Sequence, residues 1–177
     1  MTNLRTPCPG CGAVLAPVEG RTHRYIDASP ACWAIYSSLL NGSDPPMPPV
    51  PFAALLVDAY AAQHPGTPSD QATQSVAVHL LTLYGVLERG VPLADVLWLR
   101  QRPLRGLLEA RRRRFSWLAP PVFEGGLTIA SIAGEPTPES RAARVRPYVE
   151  SVWAAWADEH RSTVADWYER YVVPDRL

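Results

Sequence analysis

The chain has 177 residues, 47% of them hydrophobic and 19% charged, a composition that can bury a core and is not that of a disordered chain. Its 17 basic residues balance 17 acidic ones, so no overall field steers it toward nucleic acid or an anionic membrane. All 17 basic residues are arginine, a bias of GC-rich coding to which no function is attached.

Met1 to Cys8 offers no apolar stretch for a signal peptide, and no segment approaches the roughly 18 apolar residues of a membrane span. Three cysteines leave one unpaired in any disulfide scheme. The expectation is a cytoplasmic chain with reduced thiols, free to bind metal. Residues 7–28 carry turn formers and little periodicity, from Cys8-Pro9-Gly10-Cys11-Gly12 through Pro17, Gly20 and Asp27. They read as a knuckle followed by an irregular loop or short hairpin.

A first helix begins at Ser29-Pro30, with Ser as cap and Pro in the first turn, and carries Cys32, Trp33, Tyr36, Leu39 and Leu40 until Asn41-Gly42 stops it. Ser43 to Pro49 forms a stiff linker. A second helix turns Phe52, Leu55, Leu56, Ala59 and Tyr60 inward and ends at Gln63-His64-Pro65-Gly66, because proline disfavours helix in the residue before it. A third runs from about Asp70 to Arg89 with the stripe Val76, His79, Leu80, Leu83, Tyr84 and Leu87. A fourth starts at Pro92, with Val96, Leu97 and Leu99 inward, and Pro103 kinks or splits it. Leu127 to Ile132 alternates and is expected as a short strand or extended loop. Thr137-Pro138 opens a long helix with the stripe Val149, Trp153, Trp156, His160, Val164, Trp167 and Tyr171. Together these predict a mainly all-α protein: a bundle of five to six helices, little or no strand, and an N-terminal zinc knuckle. The organisation expected is one domain, 1–177, with the knuckle and loop in 1–28 and the bundle in 29–177.

Four groups of residues can carry chemistry. In Cys8-x-x-Cys11 the intervening Pro and Gly fold the backbone back so that both sulfurs can face one ion about 2.3 Å away. A structural zinc takes four ligands. Cys32 supplies a third thiol, near a helix start that favours its thiolate, and the fourth is His23 or His64. A redox pair lacks the βαβ context of the thioredoxin type, and the remaining alternative is a chance pair in a flexible terminus.

The second group is Asp58, His79 and His160, polar residues on or beside apolar stripes. They read as an acid/base pair or second metal site, with Asp58 orienting an imidazole, or as core histidines that each find a partner. Spacing alone cannot show that these groups converge, so the latter is favoured. Third, Arg100 to Arg114 holds seven arginines against Glu109, a solvated face or a phosphate-binding one; with zero net charge, nucleic acid is not the expected partner. Fourth, Trp153, Trp156 and Trp167 share a stripe that suits a core.

Several of these segments together resemble one family. Cys8-Pro-Gly-Cys11-Gly12-Ala13, Ser29-Pro30-Ala31-Cys32-Trp33, Val57-Asp58-Ala59-Tyr60-Ala61-Ala62-Gln63-His64-Pro65-Gly66, Gln74-Ser75-Val76-Ala77-Val78-His79-Leu80 and the Trp-rich C-terminus are similar to a family of bacterial proteins catalogued as a domain of unknown function. The resemblance covers nearly the whole chain. It implies a shared scaffold with Cys8, Cys11, Cys32 and His64 as the zinc set, favouring His64 over His23. One departure is that the family pattern carries a His shortly before Val-Asp-Ala-Tyr, where this chain reads Val50-Pro51-Phe52-Ala53-Ala54. No activity is implied. The function expected is a zinc-stabilised helical binding or regulatory module. The alternatives are a metal-dependent enzyme of helical-bundle type using His79 and His160 with Asp58, and a nucleic-acid-associated factor using the Arg100–Arg114 face.

Overall fold

The computed structural model describes residues 5–42, 46–105, 115–123 and 125–173. Arg111 to Arg114, and the first part of the expected linker, therefore lie outside the described residues. The knuckle is the tip of a hairpin: β1 (Thr6–Pro7) runs antiparallel to β2 (Val14–Leu15), with Thr6 opposite Leu15 and Pro7 opposite Val14. The Cys8 amide donates to Ala13 O at 2.9 Å and the Gly12 amide to Cys8 O at 2.8 Å. Gly12 sits at φ 72°, in the left-handed region that a side chain would disfavour.

Helix α1 (Pro30–Leu40) starts where its sequence says it should, with Ser29 Oγ accepting the Cys32 amide at 3.2 Å. A 3-10 turn, Pro51–Leu55, leads into α2 (Leu56–Gln63). Helix α3 (Asp70–Leu87) is capped by Ser69, whose Oγ accepts from the Ala72 amide at 3.1 Å. Helix α4 (Val96–Gln101) is only six residues long, because 3-10 turns at Leu93–Asp95 and at Arg102–Leu104, which contains Pro103, flank it.

So short a helix buries one face, Val96 and Leu99, and the expectation that Leu97 points inward is wrong: it is 66% exposed. A second correction falls at Leu127–Ile132, where α5 (Ile129–Ala133) replaces the expected strand. The alternation there conceals a helix start. The Thr128 amide donates to Ser131 Oγ at 3.1 Å, and Ile129 and Ile132, one turn apart, are fully buried. The long helix α6 (Pro138–Tyr171) opens on Thr137, whose Oγ accepts the Ser140 amide at 3.1 Å while its own amide donates to Ser140 Oγ at 3.2 Å. Pro147 stands inside α6 on its exposed side, and the helix continues through it at the loss of one backbone hydrogen bond.

Six α-helices thus appear among the described residues, with one two-stranded sheet, so the fold is mainly α. Helix α3 lies against α2, α4 and α6; α5 packs on α1 and α6. Gly85 lets α3, α4 and α6 close together: a Cβ there would stand 3.0 Å from Leu99 Cδ1 and 3.1 Å from Tyr168 Cε2. Trp156 is fully buried, and its indole N–H reaches Ala62 O at 3.0 Å, which fixes α6 against the end of α2. Among the described residues, no helix is long and apolar enough to cross a membrane.

Candidate metal centre

Three separate segments deliver four donor atoms to one point. The hairpin tip brings Cys8 and Cys11, the first turn of α1 brings Cys32, and the residue after α2 brings His64. Their ligating atoms all lie within 4.8 Å of one another. Cys8 and Cys11 are 1% exposed, Cys32 and His64 0%. Such a set can hold a metal ion.

Two of the spacings are those a tetrahedral ion would require. Two sulfurs bound at about 2.3 Å to one tetrahedral zinc stand about 3.8 Å apart, and a sulfur and an imidazole nitrogen about 3.5 Å apart. Cys11 Sγ lies 3.8 Å from Cys32 Sγ, and Cys32 Sγ lies 3.4 Å from His64 Nε2.

The surrounding hydrogen bonds orient the donors. His64 Nδ1–H donates to Tyr60 O at 2.8 Å; in the neutral ring this leaves the Nε2 lone pair facing the sulfurs, the usual way a backbone carbonyl fixes a ligating histidine. The Ser29 amide donates to Cys8 Sγ at 3.3 Å and the Tyr60 hydroxyl to Cys32 Sγ at 3.6 Å. Tyr60 therefore serves the cluster twice, and it stacks on Tyr36 with ring centres 3.8 Å apart.

Without a cation, three thiols cannot all ionise in so small a space. Hydrogen bonds from the Cys11 and Cys32 thiols hold Cys8 far below its ordinary range. The bonds that Cys32 gives to Cys11 and Cys8, with its burial, push Cys32 far above it. Burial pulls the His64 imidazole down, but hydrogen bonds to Cys11 and Cys8 outweigh it and push the group up to about 9. An incoming divalent ion must therefore displace protons from Cys32 and His64 at neutral pH. Affinity rises with pH through the neutral range toward that value and falls in acid.

His23 does not join the set. It is exposed, takes the Tyr25 amide on Nδ1 at 3.3 Å and packs beside Trp33. Of the second group, Asp58 and His79 come together and His160 stays apart. Asp58 is fully buried; it accepts from His79 Nδ1 at 2.8 Å and from Arg100 Nε and Nη2 at 3.0 and 2.6 Å. His160 Nε2 donates instead to Ala119 O at 2.8 Å. The alternative of a shared His79–His160 site is thus not formed, and each histidine has its own partner, as the favoured reading expects: the first imidazole bonds Asp58 on α2, the second the backbone at Ala119.

Arg100 is the partner that sequence reasoning missed, because it read as one member of a basic run. Arg102 is also drawn in: it is 6% exposed, and its Nε–H donates to Val172 O at 3.4 Å. Tyr60 was legible in principle, since it lies one helical turn before His64 and its carbonyl is placed for a ring nitrogen there.

Two consequences can be measured. Gly10 passes against the ligand, where a Cβ would lie 2.6 Å from His64 Cδ2 and 2.7 Å from Asp27 O. Gly10→Ala should therefore weaken metal binding by roughly 10–100-fold, the range for disturbed support of a ligating histidine, as read by competition with a chromogenic chelator. Arg100→Ala leaves the buried Asp58 without its cation and should cost about 3–5 kcal/mol in denaturant unfolding, whereas the double variant Asp58→Leu, Arg100→Leu should recover most of that loss.

Neither a curated protein nor a solved structure matches the chain significantly. A family model does match, over residues 6–157; the span holds all four donors, Asp58, His79 and Arg100, and ends before His160. The chain belongs to that family, DUF5946, a family of unknown function.

Proposed function

We propose that the Cys8, Cys11, Cys32 and His64 cluster binds one zinc ion in a structural role, and that the protein is a zinc-stabilised helical binding or regulatory module. The observation that carries this reading is the convergence of three sulfurs and one imidazole nitrogen within 4.8 Å. Soft thiolates with one imidazole select zinc over hard cations, and four buried protein ligands leave no coordination position for substrate. Protein purified without chelator should contain close to one zinc per chain by elemental analysis. Stripping the ion should lower Tm by roughly 10 °C or more, as expected for losing several kcal/mol in a domain of this size, and zinc should restore it. Cys8→Ser should lose ion and stability together; a Cys8→Ser chain that keeps both would overturn the reading. Titrations at pH 6 and pH 8 should show the tighter binding at pH 8.

A second reading, an enzyme working through His79, is supported by one observation, the bond from its Nδ1 to a buried carboxylate. An ionised carboxylate accepts only, so the proton sits on Nδ1 and the neutral ring keeps a lone pair on Nε2. The His79 side chain is 16% exposed, so part of the ring meets solvent. His160 has no part in this version. Hydrolysis of p-nitrophenyl acetate by the full chain, compared with His79→Ala, tests it: equal rates would remove this reading.

A further inference from the structure

The three sulfurs are not equivalent. Cys8 Sγ takes the Ser29 amide and Cys32 Sγ takes the Tyr60 hydroxyl. Among the described residues, Cys11 Sγ receives no N–H or O–H from outside the cluster. Hydrogen bonds to a thiolate spread its charge and blunt its nucleophilicity, so Cys11 keeps the most reactive electron pair of the three.

Cys11 also differs in what lies beside it. It borders a cavity of about 370 Å³, open to solvent, that runs between the hairpin and α5, with Gly12, Val14, Gly126, Thr128 and Ala130 among its walls. At 1% exposed, Cys11 offers the cavity only a sliver of surface. A reagent that reaches it must therefore be small, and hydrogen peroxide has only two non-hydrogen atoms. Cys32 Sγ lies 3.8 Å from Cys11 Sγ.

We propose that Cys11 is an oxidation site for hydrogen peroxide, and that its oxidation joins it to Cys32 and releases the ion. This deepens the zinc reading and rests on it. The Cys11 thiolate attacks one peroxide oxygen, the O–O bond breaks, and the departing hydroxide takes a proton as water, leaving Cys11 as the sulfenic acid. The Cys32 thiolate then attacks the Cys11 sulfur and the second hydroxide leaves, also as water after protonation. Two sulfurs lose one electron each and the peroxide gains two. The sulfurs must close from 3.8 Å to about 2.05 Å, shorter than a tetrahedral ion permits between two of its ligands. Disulfide formation and coordination by both sulfurs therefore exclude each other. Cys8 and His64 remain as two ligands, too few for a structural zinc. Thiol reduction and added zinc reverse the change.

The test uses the full chain loaded with zinc. Hydrogen peroxide is added in small steps while released zinc is followed with a chromogenic chelator, and the products are mapped by peptide mass spectrometry without reduction. The expected result is one zinc released per peroxide consumed, a cross-linked pair of peptides holding Cys11 and Cys32, and recovery of bound zinc after dithiothreitol and fresh zinc. Iodoacetamide should leave the zinc-loaded chain unlabelled under the same conditions. Val14→Trp, which adds bulk at a cavity wall that supplies no donor atom, should keep its zinc and slow the peroxide reaction several-fold. Retention of zinc at excess peroxide, a Cys8–Cys11 cross-link, or an unchanged rate in Val14→Trp would each overturn the proposal. A chain that binds no zinc to begin with defeats the zinc reading itself, a result distinct from all of these.

Discussion

Four donor atoms from three segments share a volume less than 5 Å across, on residues that are almost wholly buried, and much of the remaining structure arranges itself around that constraint. Buried thiols and an imidazole in such proximity hold an unstable distribution of protons: Cys8 is driven toward its thiolate while Cys32 and His64 are driven to stay protonated. One divalent cation resolves the conflict for all of them. The glycines follow from the same crowding. Gly10 has no room for a side chain against His64, and Gly66, at φ 75°, brings the chain after His64 within 2.9 Å of Tyr25 O, measured from where a Cβ would be.

Helix α2 is the hub that connects this centre to the bundle. Seven of its eight residues are buried, including two polar ones that an apolar core would not need. Asp58 reaches His79 on α3 and Arg100 on α4. Gln63 donates to Leu127 O and accepts from the Tyr148 hydroxyl on α6. Tyr60 gives its hydroxyl to Cys32 and its carbonyl to His64. Buried polar groups are tolerable only when each is satisfied, and a satisfied set fixes the register of the elements it joins. Eight residues thereby set the positions of α1, α3, α4 and α6 relative to one another.

How much of this can be read from the sequence depends on the range of the interaction concerned. Helix starts at Ser29, Ser69 and Thr137 are local: a capping side chain and its amide lie three residues apart, and the letters show them. The Cys8-x-x-Cys11 pair is local for the same reason. The choice between His23 and His64 is not, and only the family resemblance favours the residue that the fold delivers. Arg100 fails in the opposite direction. Its neighbours Arg102 and Arg105 suggest a solvated basic face, yet its partner lies 42 residues away and is buried. At Leu127–Ile132 the alternation of apolar residues competes with a Thr-x-x-Ser cap, and over six residues a period of two and a period of three cannot be told apart by hydrophobicity alone. The cap decides, and Ile129 and Ile132 follow it inward.

The hairpin and the bundle are held by different forces. Two strands of two residues cannot stand alone in water, and residues 16–28 carry no strand or helix. This segment is tied to the rest by the Asp27 amide to His64 O, the Ser29 amide to Cys8 Sγ and the sulfurs themselves, with a few apolar side chains, Ala13, Leu15, Ile26 and Ala28, against the core. Helices α2, α3 and α6 are secured instead by a core of large side chains, among them Tyr60, Leu80, Tyr148 and Trp156, all fully buried. Under the zinc reading, the ion substitutes for the apolar core that the first 28 residues are too polar and too Pro- and Gly-rich to build. Its influence is then regional. Losing it frees the hairpin and strains the ends of α1 and α2 first, while the packing of α3 on α6, which contains no ligand, keeps its own hold.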